Sequence, residues 1–441
     1  GQDFKATDHL YSADLDLFGK GSVFELICQA RTGVGRETLA QWLLTPASLE
    51  EMRARQSRVQ ELSDAVLMRE SLAVSDGNTQ EVIQPEALVK WGERASCLNL
   101  ARDGFLFWGL FAASVAGLVA WNLTGLGSLF FLGVVITQGI VRMAYRGKVA
   151  QVLATVSGAH VELEQMARVL GVFEDATLSP DGAMKTWRET LNVEGESISN
   201  RISRLRRLVH RADAMKNQLF MLIGFYFGWD HLAALRIEAW RLREKAYLPG
   251  WLKTLGEFEA LVSLSSYAFE NPENVYPTFV QEPGVLEAKD ICHPLLQRGV
   301  AVGNDIGLGP DMPLLMISGS NMSGKSTLLR GVGVNIALGA CGAPVRAAQM
   351  NVSPFQLGAT LSIQDSLMSG ASRFYAEISR IQGLVQVSRS EHTLLFLIDE
   401  ILHGTNSFDR RKGARAILES ILNDGSVGFV TTHDLALAQM A

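Results

Sequence analysis

The sequence has few cysteines, and no two of them stand close together. Cys28, Cys97, Cys292 and Cys341 show no C-x-x-C spacing, which argues against a zinc site or a disulfide framework and fits a reducing cytosol. Internal repeats, low-complexity tracts and a cleavable signal sequence are also lacking. There is no excess of positive charge: 40 Lys and Arg against 46 Asp and Glu leave a net charge of -6 and a pI near 5.8. That balance argues against a surface that coats nucleic acid as a whole, and confines any such contact to a local basic patch. From Gly104 to Val141, "GFLFWGLFAASVAGLVAWNLTGLGSLFFLGVVITQGIV", charge of either sign is absent. The chain opens on Gly1 and stops just past "TTHDLALAQMA", where a helix begins, so it is expected to be a fragment cut at both ends.

What is present is material that folds. The chain has 441 residues, 47% apolar and 20% charged, enough for two to four domains and a large core. Residues 1–100 read as mostly helical. In "GRETLAQWLLTPASLEEMRARQSRVQELSDAVL", apolar residues recur three and four apart, which turns Leu39, Trp42, Leu43, Met52, Val59 and Leu62 toward a core. Ser48 with Glu51 three residues on is a capping box that starts the second of these helices.

Residues 101–148 hold the uncharged run. "WNLTGLG" divides it into two segments of about 18 residues, near the lower limit for crossing a bilayer. Arg102 precedes the run and Arg142, Arg146 and Lys148 follow it, which puts both outer ends in the cytosol by the positive-inside rule. The alternative is a helical hairpin buried in a soluble core, although such helices usually keep a polar face. Residues 149–282 form a long charged helical region that could serve as an arm or lever. Within it "RISRLRRLVHR", Arg201 to Arg211, could touch phosphate or could simply be a solvated face. "LFMLIGFYFGW", Leu219 to Trp229, is too short to span a membrane and suits a core or interfacial position. After "ENPENVYPTF" the pattern changes at about residue 283 to short apolar runs between glycine-rich turns, as in an α/β domain.

Within residues 283–441, Gly319-Ser320-Asn321-Met322-Ser323-Gly324-Lys325-Ser326, followed by Thr327, satisfies G-x-x-x-x-G-K-[ST] between strand-like "PLLMI" and helix-like "TLLRGVGVNIAL". Glycines let main-chain N–H groups close around phosphate oxygens, and the helix that follows adds its positive end. Lys325 is then expected to reach the β and γ phosphates of ATP and Ser326 to ligate Mg²⁺. "TLLFLIDE" ends in Asp399, a second magnesium-holding group, and Glu400, the residue that orients or deprotonates the attacking water. "VGFVTTH" ends in His433, which could hydrogen-bond the γ-phosphate.

"SGSNMSGKSTLLR", "FLIDEILHGTNSFDR" and "TTHDLAL" together resemble the ATPase domain of the MutS family of mismatch-repair proteins, a branch of the ABC-type ATPases. "LDLFGKGSVFELICQARTGVGRETLAQWLLTP" and "FEALVSLSSYAFENPENVYPTF" resemble parts of that family's helical core and the return of its lever helices. The resemblance implies a multidomain chain: a mainly α-helical core and lever with an inserted apolar hairpin, then a P-loop α/β ATPase domain. It implies that Ser372 and Glu377 of "SRFYAE" lie in a trans-acting segment whose serine approaches the γ-phosphate held by a second subunit, so that the site is complete only in a homodimer. "HGTNSFD" would pass between the two sites, Asn321 would act inside the P-loop, and "CHPLL", including His293, would lie near the base. Members often stack an aromatic ring on adenine; Val300, Ala301 and Val302 stand there here.

No Phe-x-Glu wedge motif occurs, so direct mismatch reading is not expected, and the hairpin points to a membrane-associated branch. The resulting expectation is an ATP- and magnesium-dependent ATPase at the cytoplasmic membrane, its catalytic part facing the cytoplasm, that drives a helical arm. DNA, a protein, or both are its candidate cargoes. An ABC-type transporter subunit is the alternative, but the segment before Walker B has no LSGGQ-like stretch and six spanning helices are lacking. An ATP-binding scaffold without turnover is a third reading.

Overall fold

The computed structural model describes residues 1–5, 9–74, 85–123, 127–176, 178–179, 181–213, 218–320, 323–361, 373–390, 392–402 and 407–433. It is mostly helical, with two four-stranded sheets near the C-terminal end. The helix Gly33–Leu44 starts at Thr32, whose hydroxyl accepts from the Gly35 N–H at 3.1 Å, and Leu49–Asp64 starts at Ser48, which accepts from the Glu51 N–H at 3.3 Å. Leu39, Leu43, Met52, Val59 and Leu62 are buried as their spacing predicts; Trp42 is half-buried, with the Arg55 guanidinium 3.9 Å from its ring centroid. Both helices pack on Leu248–Glu270, the helix that returns toward the C-terminal sheets. Gly256 permits that approach, since a Cβ there would stand 2.9 Å from Val34 Cγ1 and 3.2 Å from the Val34 carbonyl oxygen. One turn on, buried Glu259 accepts from the N–H groups of Arg31 and Thr32 at 3.2 and 3.3 Å, satisfying donors that the start of Gly33–Leu44 leaves over.

The uncharged run forms the helix Arg102–Leu123 and the first part of a second helix, Gly127–Glu174. The second helix has 48 residues, about 72 Å at 1.5 Å per residue, and continues across residue 148 because no proline interrupts it. The second limb of the apolar hairpin and the charged stretch after it are therefore one rod. Both helices are long and apolar enough to cross a membrane, and only 22% and 11% of their most apolar stretches are buried. Phe105 is 86% exposed and Leu129 72%, so these helices are not buried within this chain.

A third apolar helix, Gln218–Phe227, packs against the hairpin. Ser114 donates to the Tyr226 carbonyl at 2.8 Å, the Tyr226 hydroxyl donates to the Ser114 carbonyl at 2.9 Å, and the Gln138 amide donates to Ser114 Oγ at 3.2 Å. The polar groups of three apolar helices thus satisfy one another. At the base of the hairpin, Arg142 pairs with Asp230 at 2.8 Å and the Tyr145 hydroxyl donates to Asp103 at 2.9 Å.

Two sequence expectations change here. Arg201, part of a run that could touch phosphate or form a solvated face, is instead buried on the helix Ile198–Asp213 and pairs with Glu194 at 2.8 Å and Glu244 at 2.9 Å. Arg204, Arg206, Arg207 and Arg211 remain exposed. The segment around residues 10–18, expected within the helical core, instead straps the C-terminal sheet. Buried Asp14 accepts from the Leu361 N–H at 2.9 Å and pairs with Arg380, and the Leu10 carbonyl accepts from Ala359 at 2.9 Å.

That C-terminal sheet is parallel, in the order Leu314–Ser318, Val427–Thr432, Leu394–Asp399, Gln356–Thr360. Its middle strands, apolar along "LLFLI" and "VGFV", are buried on both faces, as helices on each side require. The second sheet is mixed, in the order Thr278–Phe279, Gln349–Val352, Leu286–Ile291, Asn304–Leu308.

Candidate nucleotide site

Three strands of the parallel sheet end side by side at their carboxyl ends, where ligands of open α/β sheets bind. Ser318 closes one and leads into the glycine-rich loop; Asp399 and Thr432 close the other two. Gly324 adopts φ +89°, a left-handed conformation, and turns the loop into the helix Lys325–Ala340. The first N–H groups of that helix have no partner within it and face the loop.

The side chains converge. Lys325 Nζ donates to the carbonyls of Gly319 and Ser320, each at 2.8 Å, so its charge lies inside the loop. The Ser326 hydroxyl donates to Asp399 Oδ2 at 2.5 Å across 73 residues of sequence. Thr431 donates to the other carboxylate oxygen of Asp399 and accepts from the Glu400 N–H at 3.2 Å. Glu400 stands at φ +55°, a conformation that costs a residue with a side chain about 1–3 kcal/mol. This turn aims its carboxylate at His433, with Glu400 Oε1 2.6 Å from His433 Nε2.

An ammonium in a glycine loop, a hydroxyl and carboxylate within bonding distance, and free helix N–H groups form a donor set that fits a magnesium-bound nucleoside triphosphate. Gly319 keeps the cradle open: a Cβ there would meet Ser323 Oγ at 3.1 Å. Of the predicted site residues, Lys325, Ser326, Asp399, Glu400 and His433 come together, with Gly319, Ser320, Ser323, Gly324 and Thr327 in the same loop and helix start. Asn321, Met322, Ser372 and the His403–Asn406 part of the loop after Walker B lie outside the described residues. Glu377 is buried and accepts from the Leu402 N–H, so it supports its own chain's turn after Glu400. Sequence reasoning missed Thr431, whose bonds to Asp399 and Glu400 cross between strands and leave no local signal.

His293 lies against the P-loop helix, its backbone nitrogen 3.2 Å from where a Cβ on Gly331 would sit. Its Nδ1 accepts from the Leu295 N–H at 3.2 Å. Burial, helped by nearby Arg330 and opposed by Asp16, lowers its pKa to about 4. The imidazole therefore stays neutral at physiological pH and can donate only through Nε2–H. Because the unfolded chain takes up this proton near the ordinary value of 6.5 and the folded chain only near 4, stability is full above about pH 6.5 and falls as pH drops toward 4. Histidine NMR should show the resonance absent from His293→Asn unmoved between pH 8 and pH 5.5; a midpoint near 6.5 would contradict the buried environment.

The model of MutS domain V matches residues 315–441, the stretch that carries Lys325, Ser326, Asp399, Glu400 and His433. Residues 315–441 thus match MutS domain V, and relatives named MutS align beyond it. A protein named DNA mismatch repair protein MutS from Exiguobacterium sp. (strain ATCC BAA-1283 / AT1b) is 24% identical over 94% of this chain and 53% of its own length. The one from Shouchella clausii (strain KSM-K16) is 28% identical over 62% of this chain and 31% of its own. One from Lactococcus lactis subsp. cremoris (strain MG1363) is 32% identical over 38% and 20%. The chain thus spans about half or less of these MutS relatives. Similarity is highest in the shortest alignment and persists at a lower level across nearly the whole chain.

Proposed function

We propose that this chain is a MutS-like, magnesium-dependent ATPase, held at the cytoplasmic membrane by its apolar hairpin, whose nucleotide state moves a helical arm through dimer closure. The observation that carries the ATPase reading is the Ser326–Asp399 contact beside Lys325, which joins the P-loop to the neighbouring strand end. Lys325 offsets phosphate charge, and loop and helix N–H groups grip the oxygens. Ser326 and Asp399 would hold magnesium, which when bound neutralises phosphate charge. Glu400 is placed to orient or deprotonate water, and His433 is the neighbouring donor to the terminal phosphate. Ser372 would come from the second subunit.

Support for the membrane comes from the two long uncharged helices with outward apolar faces and from the basic residues at their base. The names of the relatives tie the family to DNA mismatch repair. A mismatch-repair-related process with DNA or a protein as cargo is accordingly the cellular context proposed here, without direct mismatch reading by this chain.

Phosphate release by the detergent-solubilised full chain with ATP and magnesium tests the reading. Turnover per chain should rise with protein concentration as dimers form. Bound ATP with no phosphate release at any concentration would leave a scaffold, and no affinity for ATP would overturn the site altogether.

A further inference from the structure

Beside the hairpin, the helix Ile198–Asp213 and the helix Trp229–Glu244 leave a cleft whose third wall is the first apolar helix. Trp108 and Phe111 come from that apolar wall, Arg211 from Ile198–Asp213, and Trp229 and Arg236 from Trp229–Glu244. The Arg236 guanidinium stands 5.1 Å from the Trp108 ring centroid, and Trp229 Nε1 donates to the Arg211 carbonyl at 2.8 Å. The cleft continues along the same two helices past Arg207 toward Arg204 and Arg243. Those two are already engaged, Arg204 with Glu196 at 2.8 Å and Arg243 with Glu194 at 3.4 Å. Arg207, Arg211 and Arg236 are exposed and pair with no carboxylate among the described residues.

We infer that this cleft binds the phosphate headgroup of an anionic phospholipid. Arg211 and Arg236 bind the phosphate, and the acyl chains run along Trp108 and Phe111. Guanidinium groups bind phosphate in a planar, paired geometry, and tryptophans favour the boundary between hydrocarbon and water. Both groups meet here, at the level where the hairpin leaves the charged part of the molecule. A nucleic acid fits less well, because a duplex laid on Arg211 and Arg236 would press its sugars against an uncharged helix bearing Phe105 at 86% exposure. The inference rests on the membrane reading above and adds to it a choice of lipid. It also assigns a role to the arginine-rich stretch that the nucleotide site does not use.

Native mass spectrometry of the solubilised full chain, offered equal amounts of phosphatidylglycerol and phosphatidylcholine, tests it. Wild-type protein should retain phosphatidylglycerol at least about ten-fold in preference. Arg211→Glu combined with Arg236→Glu should bring the ratio close to one, and the milder Arg236→Gln should lower it in part. Lys253→Glu with Arg415→Glu, the same charge change on exposed residues elsewhere, should leave it intact. Equal retention of both lipids by the wild type, or an unchanged preference in both cleft variants, overturns the site. Displacement of phosphatidylglycerol by a short DNA duplex whose binding is lost in the same variants would assign the cleft to nucleic acid instead. Flotation on pure phosphatidylcholine vesicles after a carbonate wash separates the two levels. If the wild type floats without lipid preference only the site falls, whereas failure to float removes the membrane reading and the site with it.

Discussion

Replacing Glu400 with glutamine is expected to slow ATP turnover by about a hundred- to ten-thousand-fold, the usual contribution of a positioned general base. ATP binding should be nearly unchanged. Lys325, Ser326 and Asp399, which would hold the phosphates and the metal, do not contact the Glu400 side chain among the bonds described, whereas His433 does at 2.6 Å. Glutamine keeps the length and one oxygen of glutamate, so its amide can still accept from His433, and the left-handed backbone at φ +55° is no worse for glutamine than for glutamate. What is lost is the negative charge that draws a proton from water. Single-turnover phosphate release and equilibrium binding of a fluorescent ATP analogue, measured on both proteins, separate the possible outcomes. Turnover within a few-fold of wild type would remove Glu400 from the chemistry. Loss of binding together with turnover would mean that the carboxylate holds metal or shape, and the assignment of roles at this strand end would have to be redrawn.

How much of this site was legible depends on how local its physics is. The P-loop could be read because phosphate binding fixes residue types at adjacent positions: glycine where φ must be positive, lysine and serine at the helix start. Asp399 and Glu400 could be read because a buried strand that ends in two acids leaves a strong pattern. Thr431 could not, since its bond to Asp399 spans 32 residues and a threonine in a strand is ordinary.

The same holds for the fold. Asp14 binds Arg380 at a separation of 366 residues, and nothing near Asp14 announces it. Arg201 misled because four neighbouring arginines make a solvated face, while the carboxylates that bury it, Glu194 and Glu244, lie outside its helix. The change of composition near residue 148 looked like a boundary. Helix formation responds to proline and capping rather than to polarity, so the rod passes through it without a break.

An arginine on the outward face of each hairpin helix, Val115→Arg with Ile136→Arg, is expected to detach the protein from membranes. In a bilayer each costs roughly 2.5–3.5 kcal/mol near a helix centre, and the pair together enough to move most molecules out of the inserted state. Val115 is 41% exposed and Ile136 54%, so in a soluble protein the same changes would touch nothing and stay within about 0.5 kcal/mol of neutral, with improved solubility. The two environments therefore predict opposite outcomes from one double variant. Inward positions would blur that contrast: Ser114 and Gln138 hold Tyr226 and its helix to the hairpin, and their loss would loosen the bundle in water and lipid alike. The measurement is the share of protein left in a carbonate-washed membrane fraction. Wild type should stay almost wholly with the membrane, and the double arginine variant should leave it or fail to accumulate. If both remain equally bound, lipid does not cover these faces. If wild type washes off as readily as the variant, the apolar surface of the rod has another occupant and the proposed anchor falls.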